Sequence, residues 1–136
     1  MGERTGREPM ARKAEADRAI DDTIFKLEAL LKEAVGELDP FPSYPGAFFT
    51  FGIEADIGPA APPDVGCVIV QPDGELYELK MGVDLDNIDV GDPVAMRKEE
   101  VRKLDDLHPL DRLLYLISAL AAVTELLLEQ KKAAKS

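Results

Sequence analysis

One segment constrains the fold more than any other: residues 113–124 form an unbroken run of twelve residues without a charged side chain. Apolar side chains recur through and around it at helical spacing, which predicts a helix over about residues 109–132. Because this run offers no charged face to water, the helix needs apolar cover on every side. The run is shorter than the roughly 20 residues that span a bilayer, so we expect a buried helix and no membrane partner.

The cover that this last helix needs exceeds what the rest of the chain can supply. A few short strands and one other long helix shield about two of its sides. Each large apolar side chain left in water forgoes roughly 1.5–3 kcal/mol, a sizeable part of the about 5–15 kcal/mol that stabilises a small domain. We therefore predict a further partner, most simply a second copy related by two-fold symmetry. The alternative is a monomer in which the preceding connector covers the helix. The side chains expected at the contact are Leu113, Leu116, Leu120 and Leu127.

A second amphipathic helix is predicted over residues 12–35. Its apolar residues, at spacings of three and four, are Ile20, Ile24, Leu27, Leu31 and Val35. Gly36 is placed to end this helix, and Pro40 prevents its resumption. The three prolines of residues 39–46 then require extended or turning backbone.

Alternating apolar and polar residues predict an antiparallel sheet in the middle of the chain. Strands are expected at residues 47–55, 65–70 and 76–83, and a short fourth strand at 94–96 stays open. Residues 71–74 read Gln-Pro-Asp-Gly, a sequence typical of a tight turn. The second and third strands should therefore form a hairpin.

Residues 97–107 are highly charged and are predicted to form a connector helix. The chain is thus expected to be one α+β domain over residues 1–136. Its order would be a long N-terminal helix, a three- to four-stranded antiparallel sheet, the connector helix and a long apolar C-terminal helix, assembled as a homodimer. Residues 1–11 are expected to be disordered and residues 133–136 to fray.

Negative charge is concentrated in the middle of the chain. The net charge is -11, and residues 33–96 hold thirteen acidic side chains against one basic side chain, Lys80. The sheet is therefore expected to present a surface of a single sign. Nucleic acid and anionic membranes are unexpected partners, since binding to phosphate depends on clustered Lys and Arg. Three interpretations stay open: solubility, a surface for a protein with a basic surface, and divalent-metal binding.

The acidic loop over residues 84–92 is the candidate metal site. Closely spaced oxygen ligands on a loop suit a hard cation, and the candidate ligands are Asp84, Asp86, Asp89 and Asp92. The loop is not an EF-hand, because counting from Asp84 the glycine required at the sixth position is Asp89. Two interpretations of this loop stay open: a weaker calcium or magnesium site, and an acidic turn that is simply exposed to solvent.

Few residues could support catalysis. The chain has one His, His108, and one Cys, Cys67, which excludes an internal disulfide, a Cys-based metal site and a multi-His centre. His108 lies near several Asp residues and could in principle act as an acid or base, although a capping role is the simpler interpretation. We expect no enzymatic activity and no cofactor. A polar N-terminus and an unpaired Cys indicate a cytoplasmic protein.

Aromatic residues cluster between the first helix and the sheet. Five of the eight aromatic side chains lie within eleven positions, and they are Phe41, Tyr44, Phe48, Phe49 and Phe51. They could form a recognition surface, because aromatic residues are enriched where proteins bind one another. The alternative is that they cover the core.

These observations together favour a small acidic protein-interaction module, an adaptor, regulator or chaperone-like protein that acts as a homodimer. Its expected contact residues are those of the last helix together with Phe41, Tyr44 and Phe48. The alternative function is ligand or divalent-metal binding at the acidic loop.

Overall fold

The computed structural model describes residues 8–83 and 97–135, which contain two helices and a four-stranded antiparallel sheet. This confirms the predicted α+β class. In chain order the elements are α1 (Pro9–Glu37), β1 (Ile53–Glu54), a short 3-10 helix (Gly58–Ala60), β2 (Cys67–Val70), β3 (Leu76–Val83), β4 (Arg97–Lys103) and α2 (Pro109–Ala134). The strands lie side by side in the order β1-β2-β3-β4.

Both helices and one face of the sheet form the core. α2 packs on β1 and β2, and α1 packs along α2. The two helices run in the same direction, since Glu28 of α1 binds Arg112 near the start of α2 and Glu37 approaches Lys131 near its end. Fully buried members of this core include Leu31, Val70, Leu76, Leu116 and Val123.

α2 begins with Pro109 in its first turn, as predicted, and its mean hydropathy reaches 1.5 over an 18-residue window. Among the described residues, α2 is one helix whose length and composition would allow it to cross a membrane. This is weak evidence for a membrane span, because the core helices of soluble proteins pass the same test. The prediction that its apolar length falls short is therefore wrong. The leucines beyond Glu125 extend the apolar stretch past the uncharged run.

The predicted hairpin is confirmed. β2 and β3 pair antiparallel with Val70 opposite Leu76, and the turn between them has Gly74 at a φ of +78°. Few residues other than glycine adopt that backbone conformation without strain. The third strand has the bounds expected from its alternation, and the second is shorter than expected.

The connector helix predicted over residues 97–107 is wrong, because most of this segment is strand β4. All seven of its residues pair with β3, from Val83 opposite Arg97 to Tyr77 opposite Lys103. The helical preference of Lys, Arg and Glu amounts to tenths of a kcal/mol per residue, and a continuous backbone ladder outweighs it. The possible fourth strand at 94–96 lies outside the described residues.

Two element ends also differ from expectation. α1 continues through Gly36 to Glu37, and Leu38 closes it by donating its N–H to the carbonyl of Val35 at 3.1 Å. The strand expected over residues 47–55 is reduced to β1, because the chain before it turns back on itself: the N–H of Tyr44 donates to the carbonyl of Thr50.

Candidate interaction surface

A row of six residues along α2 faces away from the core. Their spacings alternate between four and three, the pattern with which a helix packs against another helix, and we call them the α2 stripe. Its large members are between 40% and 65% exposed. The stripe consists of Leu110, Leu114, Ile117, Ala121, Thr124 and Leu128.

Two shallow hollows lie between this stripe and α1, and together we call them the helix groove. One has a volume of about 430 Å³ and lies over Ala121, between Ile117 and Leu128, with Leu27 of α1 on its far side. The other, of about 330 Å³, includes Leu30 of α1, and the two hollows share Leu120 and Thr124. The groove is therefore a continuous apolar surface built by both helices.

Acidic side chains edge the helix groove. Glu125 lines the larger hollow, and Glu33 and Glu37 line the smaller one. Lys131 lies 3.9 Å from Glu37 in an exposed ion pair, whereas no Lys or Arg is among the described residues that line either hollow. A partner with an apolar stripe and basic flanks would match this surface.

The element expected to cover α2 in a monomer does not do so. Among the described helices and strands, those that contact α2 are α1, β1 and β2. Most of the predicted connector, residues 97–103, instead extends the sheet as β4, which does not contact α2, and only the residues after it, such as Leu104, meet the core. The α2 stripe is consequently left exposed by the part of the chain that the structure describes.

The four leucines predicted at the contact fall in two groups. Leu116 is 1% exposed and belongs to the core, so its own chain already covers it. Leu113, Leu120 and Leu127 are half-buried along the α1 side of α2, and the latter two line the helix groove. Sequence reasoning missed the exposed stripe itself: the alternation of four and three from Leu110 to Leu128 marks an apolar row along α2, but it does not tell whether that row is covered.

The aromatic cluster is divided between core and surface. Residues 41–52 form what we call the aromatic loop, in which Phe41 packs against the core and Tyr44 is half-buried. Phe48, Phe49 and Phe51 are each at least half exposed. The first two rings meet edge to face with centroids 6.2 Å apart. Each of the two interpretations of this cluster therefore holds for some of its members.

One carboxylate of β4 fixes the tip of the aromatic loop. Glu99 accepts hydrogen bonds from the N–H of Phe48 at 2.7 Å, the N–H of Phe49 at 3.1 Å and the hydroxyl of Thr50 at 2.6 Å. Burial alone would raise the pKa of Glu99, but these hydrogen bonds together lower that pKa below its ordinary value. The exposed rings are thus presented by a loop that an ionised side chain holds in place.

Strand β4 also changes the expected charge of the sheet. It contributes four basic residues and two acidic ones beside the acidic hairpin. Arg102 reaches the buried carboxylate of Glu78 at 3.3 Å, and Glu78 accepts the N–H of Gly66 at 2.6 Å. The hydrogen bond from Gly66 outweighs burial and, with Arg102, lowers the pKa of Glu78. The prediction of a single-sign sheet is wrong, because one edge strand is basic.

The residues considered for catalysis have structural roles. His108 caps α2, with its Nδ1 accepting the N–H of Leu110 at 3.2 Å. The thiol of Cys67 lies 3.3 Å from the hydroxyl of Tyr44, and burial raises the pKa of that thiol. The same hydrogen bond, with burial, raises the pKa of Tyr44 to about 12. A thiol whose pKa is raised is a less reactive nucleophile, because the thiolate is the reactive form.

The proposed metal ligands Asp84, Asp86, Asp89 and Asp92 lie outside the described residues. Within residues 8–83 and 97–135, no group of three or more His, Cys, Asp or Glu side chains is arranged to hold a metal ion.

Comparison with known proteins gives no relative. No family model, no curated protein and no solved structure matches this chain. Its function must therefore be inferred from its own residues.

Proposed function

We propose that this protein is a small, non-enzymatic interaction module of the cytoplasm that works as a homodimer and binds an apolar helix of another protein in the helix groove. The observation that carries the proposal is the exposed α2 stripe with its acidic edge. An amphipathic helix laid into an apolar groove is a common mode of protein recognition. The unpaired thiol of Cys67 supports the cytoplasm as the compartment.

The size of the apolar surface supports this function. Four side chains of the stripe, Leu110, Leu114, Ile117 and Leu128, are exposed by 40% or more, and Leu30 adjoins them from α1. Covering a large apolar side chain fully is worth roughly 1.5–3 kcal/mol, and these side chains are about half covered already. A partner helix would therefore gain several kcal/mol by seating on them.

The charge at the edge of the groove supports the choice of partner. Glu33 and Glu125 would attract Lys or Arg on the flanks of an incoming helix and would repel acidic flanks. Complementary charge of this kind mainly selects the partner and speeds association, whereas the apolar contact supplies affinity. The expected partner is thus a protein that exposes a basic amphipathic helix.

Binding of designed peptides tests this function. Fluorescence anisotropy should show that a helical peptide with a leucine stripe and lysine flanks binds the intact protein, whereas the same peptide with glutamate flanks binds at least about tenfold more weakly. Ile117→Asp should weaken binding of the lysine peptide by about tenfold or more, since it buries a charge in the contact.

The control is Phe25→Asp, which changes an apolar residue of α1 that is 74% exposed, against 50% for Ile117, and that lies on the side of α1 that carries Lys32 rather than on the groove. It should leave binding unchanged. Equal binding of both peptides, or equal loss with both variants, would contradict the proposal.

A further inference from the structure

Within residues 8–83 and 97–135, strand β4 is an open edge of the sheet. It is last in the strand order, and among the described helices and strands it contacts β3 alone. Near its middle, Val101 is 39% exposed, and Met81 on β3 is 45% exposed. The outward N–H and C=O groups of an edge strand have no partner within the sheet, and a further strand would pair with them.

The register of β4 shows which of its backbone groups face outward. Leu104, the residue after the strand, donates its N–H to the carbonyl of Leu76 at 3.0 Å. In an antiparallel ladder alternate residues bond to the same neighbour, so Lys98, Glu100 and Arg102 direct their backbone groups to β3. Glu99, Val101 and Lys103 therefore direct their N–H and C=O groups to the open edge.

The charge pattern of β4 is complementary to itself in one register. When a second β4 lies antiparallel with Val101 opposite Val101 of the partner copy, Glu99 faces a lysine at position 103 and Glu100 faces an arginine at position 102. The two-fold axis doubles both attractive pairs. The residues whose backbone groups point outward also lie opposite one another, as hydrogen bonding across the edge requires.

Neighbouring registers lack this match. A shift of two residues in one direction places Glu100 opposite itself and Lys98 opposite Arg102. A shift of two in the other direction places Arg102 opposite itself. A shift of one residue sets outward backbone groups against inward ones and loses the hydrogen bonds. Charges on an edge strand commonly prevent pairing, and here they prevent every near register except one.

We propose that two copies of the chain pair through their β4 edges with Val101 at the two-fold axis, joining both sheets into one. The β4 edge would thus be the dimer contact of the proposed function, and the proposal rests on the proposed function only for the existence of a homodimer. The contact leaves the helix groove open, because β4 does not contact α2. Arg102 already binds Glu78 and Asp106, and its guanidinium remains more than half exposed for a further carboxylate.

Val101→Pro tests this contact. The N–H of Val101 is not used by β3, so proline should keep the ladder within the chain and remove the central donor of the edge. Light scattering at micromolar concentration should give twice the chain mass of 14.9 kDa for the original protein and for Val101→Thr, and 14.9 kDa for Val101→Pro.

Lys103→Glu is the second variant, because this exposed substitution should not affect folding. It places like charges opposite one another twice and should raise the dimer dissociation constant by about tenfold or more.

A dimer that survives both substitutions would overturn the β4 contact while the homodimer stands. A dimer lost only with Ile117→Asp would place the second copy on the α2 stripe, and a monomeric original protein would overturn the homodimer itself. Binding of the lysine peptide is measured separately, so its failure is distinguishable from each of these results.

Discussion

The two faces of the sheet are covered in different ways. One face is covered by α2, with α1 beyond it, and the buried side chains of Val68, Val70 and Leu76 meet an apolar core there. The other face carries Ile69 and Leu79, which are equally buried, yet the element across it is the irregular aromatic loop. The first cover is held by apolar area, whereas the second is held by a few polar contacts and one close backbone approach.

This difference shows where each cover is sensitive. The helical cover distributes its free energy over many apolar contacts, each with a cost when truncated. The loop cover depends on Gly52, which lies against Ile69, and on the carboxylate of Glu99. Its three outer rings are each at least half exposed, so we expect their truncation to cost less than that of a fully buried side chain.

The largest effect is expected at the helical cover. Leu116→Ala should lower the free energy of unfolding by about 2–5 kcal/mol, because it opens a cavity at a side chain that is fully buried. Urea denaturation measures this change. Leu128→Ala, on the exposed side of the same helix, is the control and should stay within about 0.5 kcal/mol of the original protein. Comparable losses in both variants would mean that the two sides of α2 are equally covered.

A smaller effect is expected where the aromatic loop touches the sheet. A Cβ built at Gly52 would lie 2.8 Å from Cδ1 and 3.2 Å from Cβ of Ile69. Gly52→Ala should therefore push the loop from the sheet and cost about 1–3 kcal/mol. Gly82→Ala is the matched control, since a Cβ there meets nothing among the described atoms within 4 Å. Thermal unfolding should separate the two variants, and equal melting temperatures would show that the loop does not depend on this approach.

The smallest effect concerns Glu99 and depends on pH. Glu99→Gln removes the charge that accepts three hydrogen bonds and should cost about 1–2 kcal/mol near pH 7. The folded-state pKa of Glu99 is lowered, so the unfolded chain takes up its proton first as the pH falls. The stabilisation is therefore complete above the unfolded pKa, about 4.3, and is lost as the pH falls through the folded pKa.

Urea denaturation across pH 3–7 measures this dependence. The difference in unfolding free energy between the original protein and Glu99→Gln should shrink toward the acid end. A difference that stays constant over this range would contradict the role given to the carboxylate. Glu78, whose pKa is also lowered, should add to the acid sensitivity that both proteins share.

Much of the fold could be predicted from local patterns. The spacing of Ile24, Leu31 and Val35 placed α1, and the alternation of residues 76–83 placed β3. The turn at Gly74 could be predicted because its chemistry is local. β4 could not, since its charged residues favour helix by a small margin and become a strand only when β3 offers them a partner.

The candidate site was predictable only in outline. The uncharged run in α2 indicated that this helix has more apolar surface than the rest of the chain can bury. Sequence periodicity, however, does not tell which side of an apolar helix its own chain will cover. That choice placed Leu116 in the core and left Ile117 exposed. Likewise, Glu99 became the anchor of the aromatic loop only because pairing with β3 carried it across the sheet to Thr50.

Local sequence patterns were sufficient for the α+β class, the two long helices, the β2–β3 hairpin and the excess of apolar surface on α2, because these properties follow from periodicity and turn chemistry within short windows. Three further properties emerged only in the folded chain: β4 is a strand, the aromatic loop covers the second face, and the α2 stripe faces outward. These depend on pairing between distant segments, where a ladder or a buried face outweighs local preferences of tenths of a kcal/mol.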